Sequence, residues 1–201
     1  MRCGTISPML IYTLLSTALA APPGFHVSET YEGCELSLGP ADASGVIPMH
    51  AECHWPELSP ATFKAAMSRF EDHAKVWSSV QSSTAVRTEG ARTLARQVHL
   101  SKGISNREVM MWLEGVDVDG GWRFQWTKAA EPFTLTDGYV LPSKDDGFCQ
   151  GTAHPDGGLS VVYQLSYDPG GSVPGFLVRW FQTSGLEAIV HELRVYLAAQ
   201  G

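Results

Sequence analysis

The residues best suited to bind a metal ion lie in the segment MHAECHW. If this segment is a β-strand, His50, Glu52 and His54 alternate onto one face. Two imidazoles and a carboxylate can converge on zinc, but neighbours on one strand face need a further ligand to complete a tetrahedral site. No second motif supplies that ligand. We therefore predict a solvated strand face here and no metal site.

Other catalytic arrangements are incomplete in the same way. His191 in HEL lacks the second histidine of a zinc-protease helix, and there is no Gly-Lys-Ser/Thr phosphate loop or G-x-S-x-G elbow. We expect no cofactor. A general acid or base in an apolar pocket needs no such motif, and Arg96, Glu108, His99 or Tyr163 could serve as one.

The charge balance excludes one class of partner. The chain of 201 residues has 14 Lys and Arg against 21 Asp and Glu, a formal net charge of −7. A negative protein does not attract the phosphates of nucleic acid, nor anionic lipid headgroups by charge alone. We expect a monomer that has no nucleic-acid partner. A transient contact with a membrane is compatible with this charge.

The N-terminus has the pattern of a secretory signal peptide. Residues 8–20 are largely apolar and end in small residues at Ala18 and Ala20, after a start that carries only Arg2 as a charge. We predict a signal peptide over residues 1–20, cleavage near Ala20, and export to the periplasm or the exterior. A retained anchor is the alternative, although a membrane span needs about 20 apolar residues. Residues 21–201 then form a single domain.

Three cysteines remain after such a cleavage: Cys34, Cys53 and Cys149. An oxidising compartment permits a disulfide, and three pairings are open, as is the fully reduced state. The favoured pair is Cys34–Cys53, because both lie in strand-like segments joined by a turn-rich stretch. Such a bridge would stabilise the fold by about 3 kcal/mol in the chain-entropy model, and Cys149 would be a buried free thiol.

The hydrophobic periodicity predicts an α+β fold. Strand-like segments at 34–38 and 46–55 precede an amphipathic helix that Ser59 caps and Pro60 begins, with a break near His73. From residue 80 the period changes to two. Short connections make the strands antiparallel neighbours. The strand-like segments after the helix cover 80–88, 91–101, 106–118, 121–129, 133–143, 146–154 and 159–168. A long helix over 174–199, kinked at Gly185, should lie across the concave side of this curved sheet.

Specific motifs add a family resemblance. YQLSYDPGGSVPGFLVRW is similar to the strand, Asp-Pro-Gly-Gly joint and aromatic C-terminal helix of the START-like branch of the helix-grip, or Bet v 1-like, superfamily. LSPATFKAAMSRFEDHAKVWSSVQSSTAV and WRFQW resemble the same proteins, so the resemblance covers residues 46–199. It implies a curved antiparallel sheet wrapped around the C-terminal helix, with an apolar cavity between them. Members use that cavity for lipids or other hydrophobic molecules, and related branches use it for polyketide cyclisation.

A set of large apolar residues is predicted to line this cavity, with two charged residues to orient a headgroup. The set comprises Arg96, Glu108, Met110, Trp112, Trp122, Phe124, Trp126, Tyr163, Phe176, Trp180 and Phe181. Arg96 and Glu108 could form a buried pair, or lie exposed on an edge strand. We expect a non-enzymatic carrier of a hydrophobic ligand. An aromatase-like or cyclase-like enzyme and a filled core with a protein-binding surface are the alternatives.

Overall fold

The computed structural model describes residues 21–101 and 103–201, apart from the side chains at 175, 176, 179, 182 and 183. The predicted signal peptide therefore lies outside the described residues. Among the helices of the described chain, none is both long and apolar enough to cross a membrane.

Nine strands of the described chain form one antiparallel sheet. They are β1 His26–Tyr31, β2 Cys34–Leu38, β3 Met49–Trp55, β4 Val80–Glu89, β5 Arg92–His99, β6 Arg107–Val118, β7 Gly121–Lys128, β8 Lys144–Ala153 and β9 Leu159–Asp168. Their order across the sheet is β1-β2-β3-β9-β8-β7-β6-β5-β4. Hairpins join most neighbours, and the chain between β3 and β4 crosses from one half of the sheet to the other.

That crossing is made by helices. They are α1 Pro60–Met67, a 3₁₀ turn Phe70–Asp72 and α2 His73–Val76. The predicted start of α1 is confirmed: Ser59 Oγ accepts a hydrogen bond from the Thr62 backbone N–H at 3.1 Å, and Pro60 stands at the first helical position. The predicted break also occurs, because the helix ends at Met67, before His73.

The C-terminal helix closes the concave side of the sheet. It consists of α3 Gly175–Trp180, a π turn Phe181–Gly185 and α4 Leu186–Ala198. One face of α4 is fully buried against the sheet, through Leu186, Val190, Leu193 and Leu197. The predicted α+β architecture, a curved antiparallel sheet with the long helix on its hollow side, is thereby confirmed.

Two parts of the predicted strand pattern differ in the structure. β1 pairs with β2 at the sheet edge and was not predicted. Residues 133–143 alternate like a strand but lie in a long connection between β7 and β8. β7 pairs with β6 and β8, and β8 pairs with β7 and β9, so the connection meets the sheet beyond the end of β7, through a parallel bridge between Val140 and Arg107 of β6.

A disulfide joins Cys34 and Cys53, the pair that the sequence favours. The two residues are direct partners in the register of β2 and β3, so the bond links adjacent strands near one edge of the sheet. Cys149 is a free, fully buried cysteine on β8. Burial raises the pKa of its thiol, which makes it an inert part of the core.

Candidate ligand site

One half of the concave face is filled with apolar side chains; we call it the packed half. Here α4 lies against β2, β3, α1 and α2, while α1 covers β7 and β8. The residues that fill it are almost completely buried: Leu36, Met49, Trp55, Phe63, Met67, Leu159, Leu186, Leu193 and Leu197. Trp122 and Phe124 belong here, with ring centroids 6.2 Å from Phe63 and 5.3 Å from Phe70 respectively. These two predicted cavity residues are core residues.

The other half of the concave face carries polar side chains. They come from four strands and are joined by hydrogen bonds or electrostatic contacts. We call them the interior polar cluster: Ser83 on β4, Gln97 and His99 on β5, Asp145 on β8, and Tyr163 and Tyr167 on β9. Buried polar groups are costly unless they are satisfied, so such a cluster indicates a role beyond packing.

A chain of hydrogen bonds fixes the protonation of His99. Gln97 Nε2 donates to Ser83 Oγ at 2.9 Å, so the Gln97 carbonyl oxygen is left to face His99. His99 Nε2 lies 3.1 Å from that oxygen, Gln97 Oε1, and must donate to it. Desolvation lowers the pKa of His99 to about 4, so at neutral pH the ring is neutral and its Nδ1 is a bare acceptor.

Asp145 is the buried carboxyl group of the cluster. Its Oδ1 accepts a hydrogen bond from Trp126 Nε1 at 3.0 Å. Its Oδ2 has no hydrogen-bond partner among the described residues and lies 3.8 Å from His99 Nδ1. Desolvation by burial raises the pKa of Asp145 to about 7, and the hydrogen bond from Trp126 opposes that rise. Near neutral pH this group can therefore carry or release a proton.

Two tyrosines lie near Asp145, and an aromatic residue of the helix packs on one of them. Tyr163 lies 5.7 Å from Trp126, and Tyr167 lies 5.2 Å from Phe181, between ring centroids. Desolvation raises the pKa of both tyrosines, and the Asp145 charge acts in the same direction. Both hydroxyls therefore remain protonated hydrogen-bond donors.

The side chains beside the cluster are less buried than those of the packed half. His99 is desolvated strongly enough to lower its pKa, yet 19% of its side-chain surface is accessible. Tyr167 and Phe181 are also only partly buried. The end of the concave face beneath α3 is therefore less completely buried than the packed half.

The Asp-Pro-Gly-Gly joint holds the start of α3 at this end of the sheet. Arg107, buried on β6, donates from Nε to the Pro169 carbonyl at 3.0 Å and from Nη2 to the Gly170 carbonyl at 3.2 Å. Gly170 has φ +66°, and a Cβ there would stand 2.5 Å from the Leu141 carbonyl oxygen. Only glycine fits that position without displacing the neighbouring loop.

Four predicted cavity residues lie on the opposite, outer face of the sheet. They are Arg96, Glu108, Met110 and Trp112, where Met110 and Trp112 pack with Leu94, Ala129 and Phe133. The prediction that they face the cavity is wrong. β6 is buried on both faces, with Val109 and Met111 pointing inward, so its sequence has no polar face to mark the outside.

Arg96 and Glu108 do form an ion pair, 2.6 Å between Nη2 and Oε1. Glu108 also accepts a hydrogen bond from the Thr136 backbone N–H at 2.7 Å, and Arg96 donates to the Thr134 carbonyl at 3.3 Å. The pair therefore attaches the long connection between β7 and β8 to the outer face. It does not reach the concave side.

Of the three predicted residues on the C-terminal helix, Phe181 contacts the interior. Its ring packs on Tyr167, as described above. Trp180 is 51% exposed. The side chain of Phe176 lies outside the described residues. Of the strand residues predicted to line the cavity, Trp126 contacts Tyr163 and Asp145 of the interior polar cluster.

The histidines of MHAECHW lie on the outer face. His50 Nε2 pairs with Glu52 Oε1 at 2.9 Å, while His54 stacks on His154 with ring centroids 3.7 Å apart. Within the described residues, no three metal-binding side chains form a group.

Asp145 is a candidate site residue that the sequence did not predict. It lies in SKDDG, which reads as a turn before a strand that begins at Asp146. In the structure β8 begins at Lys144, so Asp145 points inward with Gly147, Cys149 and Gly151. The alternation of an acidic residue with small residues was the available signal.

Comparison with known proteins gives a fold match without a sequence match. No family model and no curated protein matches the chain. A STAR-related lipid transfer protein from Xanthomonas axonopodis superposes with a TM-score of 0.75 at 16% identity, covering 87% of this chain and 99% of that one. Human StAR-related lipid transfer protein 5 gives 0.74 at 13% identity, covering 89% and 88%.

A more distant match is the Zhui aromatase/cyclase from Streptomyces sp. R1128, with a TM-score of 0.55 at 8% identity, covering 76% of this chain and 93% of that one. At these identities the matches establish the fold alone. They agree with the element order, the sheet topology and the position of the C-terminal helix described above. The chain therefore folds as a START-like, helix-grip domain.

Proposed function

We propose that this chain binds a lipid or another hydrophobic small molecule in the space between the interior polar cluster and α3. The observation that carries the proposal is the partly accessible His99 ring inside an otherwise desolvated interior. Two of the similar structures are named as lipid transfer proteins, which supports the same class of ligand. Whether the molecule is transferred or stored is a separate question from binding.

Burial of the apolar part of such a ligand supplies the affinity, at about 25 cal/mol per Å² removed from water. The ligand has to enter past α3, because α4 is held by the packed half. The π turn between α3 and α4 is the natural place for that movement, since π turns interrupt the regular hydrogen-bond ladder of a helix. Gly185 ends the turn, where a Cβ would stand 2.9 Å from the Phe181 ring.

Native mass spectrometry after incubation with a cellular lipid extract tests this proposal. The wild-type protein should carry a stoichiometric adduct of a hydrophobic molecule. His99→Trp should abolish the adduct because the larger ring occupies the space. Leu100→Trp is the matched control, since Leu100 is the next residue and is 46% exposed. A wild-type protein without any adduct, or equal adducts on both variants, would contradict binding at this site.

A second candidate function is a cyclase-like enzyme in the same space. A specific observation favours it: Asp145 and the neutral His99 are an acid–base pair of groups beside two protonated tyrosines. The test is to incubate the protein with a linear poly-β-ketone substrate and to measure loss of water and appearance of an aromatic product. Turnover that Asp145→Asn abolishes would support the enzyme, and recovery of unchanged substrate would reject it.

We also propose that the protein acts after export. The apolar stretch that ends at Ala20 supports a cleaved signal peptide, and the Cys34–Cys53 disulfide is a bond that persists in oxidising compartments. N-terminal sequencing of the protein from the periplasm or the medium should begin at residue 21. Recovery of uncleaved protein from the cytoplasm would reject this proposal.

A further inference from the structure

We propose that the outer face of the sheet carries a second binding site, which takes a small monocarboxylic acid with an apolar body. The site is a cavity of about 170 Å³, which we call the outer pocket. Its lining includes Pro22, Glu52, Arg123, Phe148, Gln150 and Val162. The pocket lies on the side of the sheet away from α3, so this inference does not depend on the proposed function.

The register of the sheet brings the lining residues together. Direct partners across β3, β9, β8 and β7 form one row: Glu52, Val162, Gln150 and Arg123. Their neighbours along the strands, such as Cys149, belong to the core on the concave side. Because side chains alternate between the two faces of a sheet, the row points outward. A cation and a carboxylate therefore stand at opposite ends of one pocket.

The β7 end of the row is a positioned cation. Arg123 donates from Nε and from Nη2 to Gln150 Oε1, at 2.8 and 2.6 Å, and its guanidinium carbon lies 4.5 Å from the centre of the Phe148 ring. Gln150 is a neutral amide, so these bonds hold the guanidinium without neutralising its charge. In the described part of the chain, Nη1 has no acceptor within hydrogen-bond distance. The edge formed by Nη1 and Nη2 matches the two oxygens of a carboxylate.

Gln150 adds a second donor at the same end. Its Oε1 accepts both hydrogen bonds from Arg123, which fixes the orientation of the amide. Its N–H₂ group is then directed away from the guanidinium and can donate only to an acceptor elsewhere. This end of the pocket therefore presents donors and a positive charge, which favours an anion over a cation or a neutral acceptor.

The β3 end of the row is acidic, which limits the ligand to one carboxylate. Glu52 Oε1 lies 2.9 Å from Nε2 of His50, whose side chain is 3% exposed. Three strand spacings separate the backbones of Glu52 and Arg123, roughly 14 Å in all. An anion bound at Arg123 therefore lies away from the Glu52 carboxylate. A second carboxylate at the far end of the same ligand would approach Glu52 and be repelled.

The remaining surface and the volume of the pocket define the body of the ligand. Pro22, Phe148 and Val162 supply apolar surface to the lining. A volume of about 170 Å³ is close to that of an engineered cavity of about 150 Å³ that binds benzene. The pocket therefore accommodates a single ring or a short branched chain, and it excludes a lipid with long acyl chains.

Titration of the full protein with benzoate, followed by proton–nitrogen NMR, tests the proposal. Benzoate combines one carboxylate with one ring. The Nε–H signal of Arg123 and the backbone amide signals around Gln150 should shift and saturate. Benzamide, which has the same shape without the charge, should bind at least tenfold more weakly. Equal binding of benzamide, no shift at these residues, or shifts confined to the surroundings of His99 would overturn the proposal.

Variants distinguish the pocket from a general attraction to positive charge. Arg123→Gln should weaken benzoate binding at least tenfold, and Arg123→Lys should weaken it about threefold, because lysine keeps the charge but lacks the planar edge. Arg92→Gln is the matched control, since it removes the same charge from an exposed position on β5 and should change binding less than twofold. Equal losses in Arg123→Gln and Arg92→Gln would contradict the proposal.

A dicarboxylate probes the acidic end of the pocket. Terephthalate has a second carboxylate opposite the first, so it should bind to the wild-type protein at least tenfold more weakly than benzoate. Glu52→Gln removes the opposing charge, and the difference between the two acids should fall to about threefold or less. Tighter binding of terephthalate than of benzoate to the wild-type protein would reject the assignment of a monocarboxylate.

The outcomes separate this inference from the proposed function. Arg123→Gln should leave the adducts captured from a lipid extract unchanged, because Arg123 lies on the opposite face of the sheet from α3. Benzoate binding by a protein that captures no hydrophobic molecule keeps the outer pocket and rejects the proposed function. Capture of hydrophobic molecules without benzoate binding keeps the proposed function and rejects the outer pocket.

Discussion

The two halves of the concave face belong to one sheet but differ in packing and in polarity. The packed half is filled by α1, α2 and α4, and its side chains reach almost complete burial. The half beneath α3 contains the interior polar cluster, an unpartnered carboxyl oxygen of Asp145 and a partly accessible His99. The difference teaches that the residues that stabilise the fold and the residues at which we propose ligand binding lie in separate parts of one curved sheet, so changes in one half should leave the other largely intact.

The largest expected loss of stability is in the packed half. Leu193→Ala removes a fully buried side chain of α4 and should lower the free energy of unfolding by about 3 kcal/mol, because a cavity remains. Val195→Ala on the same helix is the control, since Val195 is 54% exposed and should change stability by less than about 0.5 kcal/mol. Urea denaturation measures the free energy of unfolding of both variants. Equal effects would show that α4 is not packed as described.

Loss of the disulfide should have the next largest effect on stability. Replacing Cys34 and Cys53 with serine removes a bridge between residues 19 apart in sequence, and should cost about 3 kcal/mol. The bond lies at the edge of the sheet on the side of the packed half, so ligand capture by the folded variant should be unchanged. Denaturation curves measure the loss of stability, and native mass spectrometry measures ligand capture. Loss of capture at a temperature where the variant is folded would argue against separate halves.

In the half that contains the interior polar cluster, a substitution should raise the stability of the fold instead of lowering it. Burial raises the pKa of Asp145 from 3.8 to about 7, so in folded protein the ionised carboxylate is unfavourable at alkaline pH. This penalty is absent below pH 3.8, grows between pH 3.8 and about 7, and stays constant above pH 7. Asp145→Asn should therefore stabilise the protein by roughly 4 kcal/mol at pH 8 and by almost nothing at pH 4.

Melting temperatures of the two proteins across that pH range test the reversal. A stabilised Asn variant would mark Asp145 as a group retained at a cost to stability, as binding and catalytic residues often are. A variant that is destabilised equally at all pH values would instead assign Asp145 a purely structural role.

The smallest effect is expected on the outer face. Arg96 is 40% exposed, so Arg96→Ala should cost about 1 kcal/mol or less despite its ion pair with Glu108. Because the pair lies on the side of the sheet away from α3, ligand capture should not change. Reduced capture by this variant would show that the outer face communicates with the ligand site.

Much of the fold follows from local patterns in the sequence. The bounds of β2 and β9 match the predicted segments, Ser59 and Pro60 begin α1, and Asp-Pro-Gly-Gly marks the change from strand to helix. These features depend on turn chemistry, capping and short-range periodicity, which a few neighbouring residues determine. β1 has no comparable signal, because its residues are mostly exposed and it gains its place only by pairing with β2.

The candidate site was only partly predictable. Tyr163 and Trp126 were assigned to the interior correctly, since their strands have one clearly apolar face. The sequence left open whether Arg96 and Glu108 form an inward-facing pair or lie exposed; they form a pair, but on the outer side of the sheet. A strand buried on both faces gives no periodic signal for its orientation, and a shift of one residue exchanges every side chain between the two faces.

The amino-acid sequence by itself determined the order of elements, the antiparallel pairing and the helix that closes the sheet, because these rest on contacts between near neighbours in the chain. Only the tertiary structure decided which face of each strand points inward and that Asp145 meets His99. Those two residues lie 46 positions apart on strands that are not neighbours, at β8 and β5. Their approach depends on the curvature of the whole sheet, a property that no single segment encodes.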